Sequence, residues 1–63
     1  MNTYNVTFHN NSKNRHWDYT GVTHIIQNRT SVTIKGIDPA TMEPYKCFVN
    51  KEEFDSYEVC KED

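Results

Sequence analysis

Two imidazoles and a carboxylate are the residues of this chain best suited to chemistry. His9, His16 and Asp18 flank the polar stretch "NNSKN" at residues 10–14, which is made of turn formers. If that stretch is a hairpin turn, His9 faces His16, and Asp18 shares their polar face. Such a set can hold zinc or a similar ion. Closed structural zinc sites usually take four ligands, and His-x-Asp arises readily by chance, so a solvated polar face is the plainer expectation.

A second constellation is the run "SKNRHWDY", in which Lys13, Arg15 and His16 interleave with Trp17 and Tyr19. Bases that reach phosphates beside aromatic rings that stack on bases are the equipment of single-stranded nucleic-acid binders. The sequence pI of about 5.8 argues against that reading, because the footprint of such proteins is strongly basic.

Nothing points to catalysis. There is no Gly-x-Ser-x-Gly and no recognised pairing of a cysteine with a histidine. Two glycines, Gly21 and Gly36, cannot make a phosphate-cradling loop. Glu52 and Glu53 fall in a turn with no cleft to act in. His24, on an apolar face, reads as a rim histidine bonded to backbone rather than a base. The chain is therefore not expected to be an enzyme, and no cofactor is implied.

The elements that must carry these residues have a period of two. Tyr4, Val6 and Phe8 alternate with polar neighbours, and so do Trp17 and Tyr19. A hairpin register with Phe8 facing Trp17, Val6 facing Tyr19 and Tyr4 facing Gly21 puts the large residues on one face. Trp17, isolated among polar residues in the linear chain, then becomes a core residue, in preference to an exposed contact. Beyond Gly21 the parity changes: Val22, His24 and Ile26 hold the alternation. One extra residue at Thr20-Gly21, a bulge, would reconcile the two halves of a long strand over 16–27. Val32 and Ile34 form a third strand, with Ile26 opposite Val32 and His24 opposite Ile34. "GIDPATMEP" at 36–44 is a loop, with an Asx turn at Asp38-Pro39. "YKCFV" at 45–49 is a fourth strand, with Tyr45, Cys47 and Val49 inward and Pro44 barring a central position. Asn50 and Glu53 have capping-box spacing for a helical turn, and Tyr57 and Val59 make a short fifth strand.

The expected architecture is a single all-β domain over 1–63. It is either a five-stranded SH3-like barrel or a strongly bent antiparallel meander, with one helical turn before the last strand. The resemblance to SH3-like small barrels lies in the order of elements. The acidic-aromatic ligand motif of SH3 domains is missing, so proline-rich peptide binding does not follow.

Composition narrows the classes further. A chain of 63 residues buries a small core, and four Tyr, three Phe and one Trp supply bulk to it. No apolar run reaches membrane-spanning length, and the first residues lack the basic and apolar regions of a signal peptide. Met1 and this absence suggest a short complete frame and a cytoplasmic location, where Cys47 and Cys60 would be free, buried thiols. Residues 1–51 carry six bases against three acids, and residues 52–63 carry one base against six acids, giving +3 and −5. This asymmetry suggests a binding face and an acidic mask, although a solvated end is the commoner cause.

Ile25 and Phe48 fall on faces opposite the expected core and, with Lys13, Arg15 and His16, are the candidate contact residues. The function expected is that of a small non-catalytic binding or accessory protein. Its partner would be a protein or a second copy, with no membrane. Its Asn-rich composition would suit a bacterial or prophage protein. The alternative is a nucleic-acid-associated small β-barrel.

Overall fold

The computed structural model describes residues 3–62; Met1 and Asp63, on which the expectations of a complete frame and of part of the acidic end rest, lie outside the described residues. Five antiparallel strands make one sheet: β1 (Tyr4–Asn10), β2 (Arg15–Gln27), β3 (Ser31–Ile37), β4 (Pro44–Asn50) and β5 (Ser56–Lys61). A 3-10 turn, η1 (Lys51–Glu53), precedes β5, and the Asn50 side chain accepts from the Glu52 amide at 3.1 Å. The strand order is β4-β3-β2-β1-β5, and the sheet does not close into a barrel. Of the two expected forms, the bent meander is the one found.

The bend is made in β2. Phe8 pairs with Trp17 and Val6 with Tyr19, as the alternation requires, but Tyr4 pairs with Val22 rather than Gly21. Between those pairs β2 spends one residue more than β1, at Thr20-Gly21, where Gly21 has φ 67°. This is the bulge that the parity change predicts. A second bulge follows. Val22 pairs with Gly36 and His24 with Lys35, so Thr23 is an extra residue opposite β3.

The second bulge corrects the expected register beyond it. Ile25 now faces Ile34, and Gln27 faces Val32. His24 and Ile26 are exposed, and Ile25 is partly buried against the core. Alternation alone cannot reveal such a second reversal, because two bulges close together restore the original parity.

Val6, Phe8, Val22, Val32, Ile34 and Val49 are the buried apolar core. Phe8 is its centre. Trp17 stacks on it at 5.8 Å between centroids, Phe54 and Tyr19 meet it edge-on, and Tyr57 lies tilted beside it at 5.3 Å. This ring cluster replaces the aliphatic mass that so short a chain lacks. At the far end the Gln27 side chain donates to the Tyr57 hydroxyl, joining β2 to β5. Asp38 forms the expected Asx turn, accepting from the Ala40 amide at 2.9 Å.

No helix among the described residues is long and apolar enough to cross a membrane. Cys47 and Cys60 are free, Cys47 partly buried within β4 and Cys60 exposed. The exposure of Cys60 corrects the expectation of two buried thiols. It lies on the outer face of edge strand β5, where only one neighbour, Asn5 of β1, stands beside it.

Candidate groove between β2 and β4

β2 pairs with β1 along Arg15–Tyr19, but with β3 only from Val22 onward. Its first half therefore has no strand on the side away from β1. β4 is likewise an edge, paired to β3 alone. The bend at Gly21 brings these two free edges to opposite walls of a groove. The Tyr45 hydroxyl crosses it and donates to the Thr20 carbonyl at 2.6 Å. Burial raises the pKa of Tyr45 above its ordinary value, and nearby Cys47, Glu62 and Asp38 push in the same direction. Tyr19 is also raised, first by burial, against a lowering hydrogen bond with Trp17.

The groove has two hollows that meet at Tyr19. The first, about 280 Å³, is lined by Lys13, Arg15, Trp17, Phe48 and Glu53 among others. Here the Arg15 guanidinium lies 5.9 Å from the Trp17 ring centre, and the Lys46 ammonium lies 5.2 Å from that of Phe48. Among the described residues, no Lys or Arg side chain stands within 4.0 Å of an acid, the one close approach of a basic nitrogen to a carboxylate being that of His9 to Glu58, so Lys13, Arg15 and Lys46 are not tied to acids. The second hollow, about 230 Å³, is lined by Asp18, Thr20, Asp38, Pro39, Tyr45 and Cys47.

Asn10 fixes the basic end. It is buried, its amide donates to the Glu53 carbonyl at 2.8 Å, and its carbonyl accepts from Ser12 Oγ and the Lys13 amide. One side chain thus ties the β1–β2 turn to η1. Asn10→Ala is expected to lower stability by about 1–3 kcal/mol, because it removes a buried side chain that bonds partly buried backbone groups of both segments. The same change should broaden the amide resonances of residues 11–14 and 51–53. An unaltered spectrum at those positions would show that Asn10 does not hold the two segments together.

The five expected contact residues separate. Lys13, Arg15 and Phe48 meet at the first hollow, and Phe48 is 67% exposed, as its outward position requires. His16 points to the opposite, convex face, 6.4 Å from His9. Ile25 leaves the contact set, because the bulge at Thr23 turns it toward the core. Tyr19, by contrast, joins the site without having been a candidate contact, and Lys46 stands over the Phe48 ring beside it. Trp17 serves both readings of it: its ring covers Phe8 from one side and lines the groove from the other.

The convex face carries His9, His16 and Glu58, whereas Asp18, further along the free edge of β2, borders the second hollow. The His9 Nε2 stands 3.6 Å from a Glu58 oxygen. Among the described residues, no group of three His, Cys, Asp or Glu side chains is placed to hold a metal ion. Among the described residues, the acids after residue 51 do not sit over the bases as a single mask. Glu53 reaches the groove, while Glu62 accepts from the Gly21 amide at 2.8 Å and so caps the bulge.

The chain matches no family model, no curated protein and no solved structure.

Proposed function

We propose that the protein is a small non-catalytic binding module, an accessory protein of a bacterial or prophage cytoplasm, and that it takes a protein partner in the groove between β2 and β4. The observation that carries this reading is the pair of free strand edges facing each other across an aromatic floor. Unpaired main-chain groups are what an extended polypeptide can bond, and alternate side chains can then enter the hollows. The free thiols fit a reducing compartment, and the Asn-rich composition suggests the host.

Affinity capture from host extract with three baits tests the reading: wild type, Arg15→Glu and Phe48→Ala. Both positions are exposed, so the variants should fold. A protein enriched by wild type and lost from both variants is the expected result. A protein retained equally by all three would place the contact surface elsewhere.

The second reading, single-stranded nucleic acid, is favoured by the cation–aromatic pairs at Trp17 and Phe48. It requires an affinity for oligonucleotides that falls steeply with salt, since phosphate contacts release counterions.

A further inference from the structure

We infer that the segment bound in the groove is an extended polypeptide of about six residues that is acidic in one half and basic in the other. This rests on the groove being the binding surface. The length follows from the stretch of β2 that has no strand on that side, Arg15–Thr20, whose last carbonyl is taken by Tyr45, since a bound strand advances about 3.3 Å per residue alongside it.

The charge follows from the two ends. At the hairpin end, Lys13 and Arg15 line the groove against one acid, Glu53, and Lys46 stands over the neighbouring Phe48 ring. At the other end, Asp18 and Asp38 line it, and no base does. Asp38 and Glu62 are also among the charges that raise Tyr45, which crosses this end. The groove is therefore a dipole laid along the direction of a bound strand. A chain of uniform charge gains at one end what it loses at the other. A segment whose charge reverses along its length gains at both.

The same pattern weighs against single-stranded nucleic acid. Evenly spaced phosphates would leave the hairpin end only to meet two carboxylates. A polypeptide can place its acids beside Lys13 and Arg15, its bases beside Asp18 and Asp38, and a small or aromatic side chain at Tyr19.

Eight-residue peptides on a Thr/Val frame, titrated into the full-length protein while Trp17 fluorescence and amide shifts are followed, decide the matter. The set holds two with segregated charge (acidic half first, basic half first), one with the same residues interleaved, one uniformly acidic, and an eight-nucleotide single-stranded DNA. One segregated peptide is expected to bind about tenfold more tightly than the interleaved, the uniformly acidic and the DNA ligands. In Asp18→Asn/Asp38→Asn that preference should vanish, and the uniformly acidic peptide should bind about tenfold better than it does to wild type. Asparagine at 38 keeps the oxygen that accepts from Ala40, so the turn is retained. A uniformly acidic peptide or DNA that binds wild type as well as the segregated peptides, with shifts at Trp17 and Phe48, overturns the charge reversal while leaving the groove as the site. No response at these residues from any ligand overturns both.

Discussion

Phe8→Ala is expected to abolish cooperative folding. Phe8 is fully buried and touches four other rings, so its removal empties the centre of the aromatic cluster rather than its margin. Truncating a buried phenylalanine costs about 3–5 kcal/mol in transfer and cavity terms. Stability of roughly 0.05–0.15 kcal/mol per residue gives so short a domain about 3–9 kcal/mol in total, so the loss takes about half of it or more. The variant should show no sigmoidal thermal transition by circular dichroism at 25 °C and above. Phe8→Leu, which keeps most of the volume, should still melt cooperatively at a lower temperature. A Phe8→Ala protein that melts within a few degrees of wild type would mean that the rings around it hold together without their centre.

Gly21→Ala is expected to be nearly as damaging, for a backbone reason. The residue has φ 67°, in the left-handed region that an L side chain enters at a cost of about 1–3 kcal/mol. An added Cβ would also collide with the Ile37 carbonyl oxygen, which belongs to β3 and cannot turn aside alone. Strain and collision act at the point where β2 bends, so the loss should reach both halves of the sheet. The change should also disturb the bond from the Gly21 amide to Glu62. The expected readout is a large fall in urea midpoint together with shifts in the amides of residues 20–23 and 37. If Gly21→Ala unfolds at the wild-type midpoint, the bulge is not what sets the bend.

The proposed binding surface depends on the same feature. Without the bend, Arg15 and Trp17 on β2 would not stand across from Phe48 and Val49 on β4. Loss of groove binding in a weakly destabilised Gly21 variant is therefore uninformative, and surface changes at Arg15, Phe48, Asp18 and Asp38 are the ones that test the site.

The sequence by itself determined the strands, the first hairpin register and the first bulge. Alternation of Tyr4, Val6 and Phe8 against Trp17 and Tyr19 has one arrangement that buries the large residues together, and a one-residue slip would expose them all. Glycine at the parity change marked where the chain could take a left-handed conformation. The tertiary structure alone decided the second bulge at Thr23, since no second glycine in β2 signals it and its effect on parity cancels the first. That cancellation sent Ile25 inward and left His24 and Ile26 outside. Nor could the sequence place Phe48 beside Trp17. The two are far apart in the chain, on strands that never pair, and only the bend of the sheet makes them walls of one groove. Charge likewise read as a contrast between residues 1–51 and 52–63. In space it became a contrast between the two ends of that groove, because strands interleave distant segments and neighbouring charges need not be neighbours in the chain.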